Sequence, residues 1–251
     1  NLVDAVAVEP AAGEGAFLVP MAERLIASCL RQGRPLTDCA RSIIAYELVE
    51  ESAQAARLSC ERTLVSLGVS LKEAKALAAS WVRVGDYLAE ALRLPPANFV
   101  IGNPPYIRLE DMSEKACAFY RETYPTMRGR ADIYVAFFEA ALRQLAPGGV
   151  CAFICADRWM SNQYGALLRR YVTGRYSVEV VIEMHKAQPF VSLVNAYPAI
   201  TVIRNSPPSG TVVASLKEEA QKAKGGELAE KLSAIAAGRV VRTPPGMTAE
   251  R

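Results

Sequence analysis

Short apolar runs alternate along this chain with longer stretches in which apolar residues recur every three or four positions. The runs read as strands at Val3–Val8, Ser42–Tyr46, Trp81–Val84, Phe99–Ile101, Val150–Cys155, Val178–Met184 and Ala196–Ile203. Helical periodicity follows Phe17 to about Leu30, then covers 49–67, 71–80, Asp132–Leu145 and Ser161–Val172. It is clearest where Tyr134, Phe137, Phe138, Ala141 and Leu145 share one face, ahead of a Pro147-Gly148-Gly149 stop. Strand, turn and helix in repetition predict an α/β fold, a Rossmann-like doubly wound sheet of seven mostly parallel strands. The last two strands are closely linked, which predicts an antiparallel hairpin at one end of the sheet. Residues 107–130 carry mixed charge and few periodic apolar positions, the pattern of a surface loop with a short helix, placed as a lid. Tyr197-Pro198 suggests an edge or strand-entry position.

From Ser206 the pattern fails. Pro-Pro-Ser-Gly, a Lys/Glu/Ala stretch with Gly225-Gly226, and Thr-Pro-Pro-Gly leave too little bulky apolar material for a second core. The expectation is one globular domain over 1–205 and an appendage or linker over 206–251. The chain opens at Asn1, nearly inside a strand and without methionine, so it reads as a fragment.

Composition narrows the class. The chain has 251 residues, 51% of them hydrophobic, enough for a sizeable core. A net charge of +3 neither announces nor excludes a nucleic-acid partner. Six cysteines without a CxxC pair and a single histidine, His185, argue against a zinc site or a disulfide framework, and no metal is expected. Cys151 and Cys155 read as small core residues, and His185 as structural. Apolar runs of strand length predict no membrane span, no signal peptide is recognisable, and the cytoplasm is the expected compartment.

The candidate chemistry stands at the strand ends, where open α/β sheets bind ligands. Glu9 closes the first strand and enters the turn Pro10-Ala11-Ala12-Gly13-Glu14-Gly15-Ala16-Phe17. Gly13 and Gly15 allow close backbone approach, and Glu9 suits a ligand bearing an ammonium group. The third glycine of a dinucleotide fingerprint is lacking. Glu47 ends the second strand, where an acid binds ribose hydroxyls or, as a solvated side chain, caps the next helix. Asp86 follows the third strand, placed to accept from an adenine amino group. After the fourth strand comes Asn103-Pro104-Pro105-Tyr106. The prolines stiffen the exit and aim the Asn103 side chain and nearby carbonyls, beside an aromatic ring, an arrangement for a planar substrate carrying an NH2 group. Taken alone, Asn-Pro-Pro also reads as a simple turn. The arginines between Arg158 and Arg175 read as a solvated face or as a phosphate-contacting patch.

Together these pieces resemble the catalytic domain of S-adenosylmethionine-dependent adenine-N6 DNA methyltransferases of restriction–modification systems. The resemblance covers about residues 3–204. It rests on the turn 9–17, Glu47, Asp86, Asn103-Pro-Pro-Tyr106, Asp132-Ile-Tyr-Val-Ala-Phe-Phe-Glu, Pro147-Gly-Gly, and Phe190 followed by Tyr197-Pro-Ala-Ile, all in the family's order. It implies the class I methyltransferase fold and S-adenosyl-L-methionine as cofactor. The turn from Glu9 through Pro10, Ala11, Gly13, Gly15 and Phe17 would hold the methionine part, Glu47 the ribose, and Asp86 the adenine amino group. Tyr87 and Phe137 would pack on the cofactor adenine. The substrate would be an adenine flipped out of double-stranded DNA. Its amino group would meet Asn103 and the Pro104 carbonyl, with Tyr106 stacked on one face and Phe190 on the other. No recognition domain separates Asp86 from Asn103, so a target-recognition domain or subunit is expected outside this chain. Two other readings share the motif: a glutamine-amide methyltransferase acting on a release factor, and a non-catalytic binding module on the same fold.

Overall fold

The computed structural model describes residues 1–186, 197–217, 225–237 and 247–250. It has two compact units, Asn1–Pro105 with Ala140–Gly149, and Tyr106–Glu139 with Val150–Arg251.

The first unit alternates strand and helix: β1 (Ala7–Glu9), α1 (Leu18–Arg31), β2 (Ile43–Glu47), α2 (Glu50–Ser66), α3 (Leu71–Trp81), β3 (Val82–Val84), α4 (Tyr87–Glu90) and β4 (Ala97–Gly102). Its strands run parallel in the order β3-β2-β1-β4, with Val8 opposite both Ile44 and Val100. Ile43 to Tyr46 are all buried, as a strand covered on both faces requires. In α2, Ala53, Ala56, Cys60 and Leu64 form a stripe at three- and four-residue spacing with no exposed surface. They join Leu18, Ile26 and Trp81 in one core, where each fully buried large side chain contributes about 1.5–3 kcal/mol. Ser70 caps α3 by accepting the Glu73 amide. The first strand is shorter than Val3–Val8. Residues 2–5 make a turn, and the Val3 carbonyl takes its hydrogen bond from the Ser42 hydroxyl at 2.8 Å instead of joining the ladder.

The second unit contains α5 (Glu114–Thr123) and the start of α6 (Tyr134–Gln144), and receives β5 (Leu145–Ala156) at Val150. Next come α7 (Arg158–Ser161), α8 (Ala166–Thr173), β6 (Ser177–Lys186), β7 (Pro198–Arg204), β8 (Val212–Lys217), α9 (Gly225–Ala236) and β9 (Met247–Glu250). The strand order here is β5-β7-β6-β8-β9. The expected antiparallel pair is present as β6 and β7, and β7 is also antiparallel to β5. Flanked on both sides, β7 is no edge. Pro198 is tolerated because it is the strand's first residue.

Two segments are more ordered than their composition suggested. Within 107–130, α5 is a ten-residue helix capped by Ser113, which accepts the Ala116 amide. It needs few apolar positions because Tyr120, Tyr124 and Met127 bury large surfaces in and just after it. In 206–251, β8 lies parallel to β6 and β9 antiparallel to β8, so strands are added beyond the expected seven. Val212, Ala214 and Leu216 alternate inward and pack with Ile182, Met184, Leu232 and Met247. A period of two was enough to build a small core from modest side chains.

Candidate active site

Parallel pairing puts the carboxyl ends of β1 to β4 at one edge of the first unit's sheet, and each end carries a polar residue. Glu9 closes β1 and Glu47 closes β2. Asp86 follows β3 after Gly85, and Asn103 follows β4 directly. The glycine turn is tied to β2 through backbone bonds. Ala12 donates to the Tyr46 carbonyl and Gly13 to Glu47 Oε2, both at 2.8 Å, while Glu47 Oε1 accepts the Val49 amide at 2.9 Å. Glu47 therefore holds the turn that sequence reasoning assigned to a ligand. A carboxylate has about four acceptor sites, so these two bonds leave capacity for hydroxyls. Gly15 has φ +98°, and a Cβ there would sit 3.3 Å from the Ala56 Cα, so the turn needs glycine for both conformation and space.

Glu9 is the most unusual group. Its side chain has no exposed surface, and neither oxygen has a hydrogen-bond partner. Burial pushes its carboxyl well above the usual range, the nearby Phe17 backbone N–H offsets part of this, and Glu47 adds to the rise. An unsatisfied buried carboxyl is costly, and its presence at a sheet edge suits a donor or cation from a ligand. Pro10 packs at the end of β4, where a Cβ on Gly102 would meet the Pro10 ring at 3.3 Å. Ala11 and Phe17 are half-buried beside it. Asp86 Oδ1 caps α4 by accepting the Leu88 amide at 2.9 Å. Tyr87 is a core residue, 2% exposed, with its ring 6.0 Å from that of Tyr46 and its hydroxyl donating to Gln144 Oε1 at 2.9 Å. Pro104 is buried, and Asn103 and Pro105 are half-buried.

The second unit begins with Tyr106. Its hydroxyl reaches the Ile154 carbonyl at 3.4 Å, and its ring meets Tyr134 edge-on with centroids 6.4 Å apart. Tyr134 is fully buried and shares a 2.6 Å hydroxyl pair with Tyr164, so Tyr106 leans on a fixed ring. Burial raises the Tyr106 hydroxyl above its ordinary value, which keeps it neutral. Phe137 is buried on α6. Phe190 lies outside the described residues. His185 pairs with Asp157 at 2.6 Å, and its ring lies tilted against that of Tyr197 with centroids 4.9 Å apart. No cluster of metal-binding side chains occurs among the described residues, and no described helix is long and apolar enough to cross a membrane.

Sequence reasoning missed the Tyr134–Tyr164 pair and a cavity of about 550 Å³ in the second unit, lined by Arg108, Arg121, Arg130 and Arg158 among others. The available signals were Arg108, two residues after Tyr106, and Arg158, which opens the run read as a solvated face or a phosphate-contacting patch. The other arginines come from separate elements. Of the arginines from 158 to 175, Arg169 donates to the Trp159 and Asn162 carbonyls and Arg175 covers the Tyr171 ring, so this is not one patch.

Residues 97–190 match the family model of Eco57I restriction-modification methylases. The chain is 39% identical to Type II methyltransferase M.XhoI of Xanthomonas vasicola over 83% of its own length and 39% of that protein's. It is 40% identical to Type II methyltransferase M.PaeR7I of Pseudomonas aeruginosa, over 82% of this chain and 36% of that one. The chain thus spans about two fifths of the curated relatives it matches. A crystal structure of a putative class I S-adenosylmethionine-dependent methyltransferase from Listeria monocytogenes superposes with a TM-score of 0.60, covering 92% of this chain and 64% of that one at 17% identity. The fold is that of the class I methyltransferases.

Proposed function

We propose that this chain, similar in sequence to Type II restriction-modification methyltransferases over most of its length, transfers a methyl group from S-adenosyl-L-methionine to the N6 amino group of an adenine flipped out of double-stranded DNA. One observation carries the reading: Glu9, Glu47, Asp86 and Asn103 close four adjacent parallel strands at one edge. The cofactor fits what is present. The buried, unpartnered Glu9 carboxylate would receive the methionine ammonium, and the turn through Pro10, Ala11, Gly13, Gly15 and Phe17 would wrap it. The free acceptor capacity of Glu47 would take the ribose hydroxyls, and Asp86 the adenine amino group. Tyr87 and Phe137 would wall the adenine.

When bound, S-adenosylmethionine supplies an electrophilic methyl group. The chain must make a weak nucleophile stronger. An exocyclic amine has its lone pair delocalised into the ring. Asn103 Oδ1 and the Pro104 carbonyl would accept its two hydrogens and draw them out of plane, localising that pair. Formation of the N–CH3 bond would break the cofactor's S–CH3 bond and leave S-adenosylhomocysteine, and the same acceptors would stabilise the positive charge growing on N6 until one proton passes to solvent. Tyr106 would stack on the base, with Phe190 on the other face. Stacking contributes about 1–3 kcal/mol, which offsets much of the cost of flipping. Sequence recognition would come from a target-recognition domain or subunit outside these residues.

The protein is incubated with labelled S-adenosylmethionine and either adenine-unmethylated genomic DNA or a release factor, and the digested products are identified by mass spectrometry. N6-methyladenine is expected. Methylglutamine, or no methylated product with DNA and the full-length protein, overturns the reading. The kinship to Type II methyltransferases supports DNA over a glutamine side chain.

A further inference from the structure

The arginine-lined cavity of the second unit takes no part in the cofactor and base contacts given so far. Its four arginines are not equivalent. Arg108 pairs with Glu110 at 3.4 Å, and Arg121 donates to the Gly129 carbonyl at 2.7 Å. Arg130 and Arg158 are exposed and form no ion pair among the described residues, although both line the cavity. Of the three acids there, two are engaged or half-buried. Glu110 holds Arg108, and Asp132 is half-buried, with its carboxyl pushed up by burial and pulled back by Arg158 and Arg108. Glu114 lies in the first turn of α5. Two exposed guanidinium forks therefore open onto a space of about 550 Å³; neither forms an ion pair among the described residues, although the half-buried Asp132 carboxyl feels Arg158.

The cavity is joined to Tyr106 by contact within the second unit. Tyr164 lines it, the Tyr164 and Tyr134 hydroxyls are 2.6 Å apart, and the Tyr134 ring supports Tyr106. Arg108 follows Tyr106 by two residues. A strand whose base lay on Tyr106 would have its neighbouring backbone within reach of this space. Guanidinium forks match phosphate oxygens in geometry and charge, and contacts to the backbone set the register of a protein on DNA. We propose that this cavity seats the phosphodiester backbone beside the flipped adenine, with Arg130 and Arg158 as its phosphate contacts. The assignment rests on the DNA-methylation reading above.

Arg130→Gln, Arg158→Gln and their combination are compared with wild type and with Arg31→Gln, an exposed site at the end of α1 in the other unit. Binding to a mixed-sequence duplex is followed by fluorescence anisotropy over a range of potassium chloride concentrations, beside thermal melting. Each cavity substitution should reduce the slope of log K against log salt by about 0.9, and the pair by about twice that. Arg31→Gln and the melting temperatures should not change. Slopes equal to wild type overturn the assignment. So does a loss confined to particular sequences with an unchanged slope, because that pattern belongs to base-edge contacts. If wild type neither binds nor methylates DNA, the functional reading fails and takes the cavity with it. If methylation stands and the slopes do not move, the cavity assignment alone falls.

Discussion

Glu9 is a residue whose cost and use can be measured separately. Buried without a partner, it holds its proton to a higher pH in the folded chain than in the unfolded one. A raised carboxyl pKa favours the folded state below the unfolded value of about 4.3, and that advantage is lost as pH climbs through the raised value. The cofactor-free protein should therefore lose melting temperature as pH rises from about 4.3 to the raised value and level off above it, and Glu9→Gln should flatten the decline. The same substitution removes a charge-assisted hydrogen bond of about 1.5–3 kcal/mol from the proposed ammonium contact. Calorimetry with S-adenosylmethionine should show binding weakened roughly ten- to hundredfold. A variant that melts like wild type at every pH, and binds as tightly, would remove Glu9 from the site. Its identity as a candidate was legible from its place after the first strand. Its isolation was not, because desolvation depends on packing from elements far apart in sequence.

The elements divide between those with a strong period and those assembled from sparse anchors. The face Tyr134, Phe137, Phe138 and Ala141 gave α6 its helical reading, and the Phe99–Ile101 run marked β4. In α5 most of the surface is polar, so its signal was the Ser113 cap and the single buried Tyr120, both easily read as loop. In β8 the alternation Val212, Ala214, Leu216 is present, but small residues and flanking Pro-Gly obscured it. The structure makes a quantitative demand on that strand. Leu216 is 5% exposed, and Leu216→Ala should cost about 2–5 kcal/mol of stability in urea titration, as for other buried leucines. A linker would tolerate the change without measurable effect. The hydroxyl pair between α6 and the 163–165 turn makes a similar demand. Tyr164→Phe leaves the buried Tyr134 hydroxyl unpaired, at a cost of about 1–3 kcal/mol. If that pair steadies Tyr106, kcat should fall further than melting explains, with S-adenosylmethionine affinity unchanged.

At the scale of the whole molecule, the proposed chemistry separates holding the cofactor from activating the amine, and the two tasks sit on different strands. Glu47 and Asp86 follow β2 and β3, whereas Asn103 follows β4 and opens the proline turn. Asp86→Ala should weaken S-adenosylmethionine binding and raise its KM, leaving kcat at saturation close to wild type. Asn103→Ala should do the reverse, cutting transfer at least about a hundredfold while cofactor affinity stays within about twofold, the scale on which loss of one transition-state hydrogen-bond partner is felt elsewhere. Because the first acts on binding and the second on the chemical step, their effects on kcat/KM should multiply in the double variant. A double variant no worse than Asn103→Ala alone would show that both residues serve one step. Equal cofactor affinity for wild type and Asp86→Ala would withdraw the adenine contact and leave Asp86 as the cap of α4 alone.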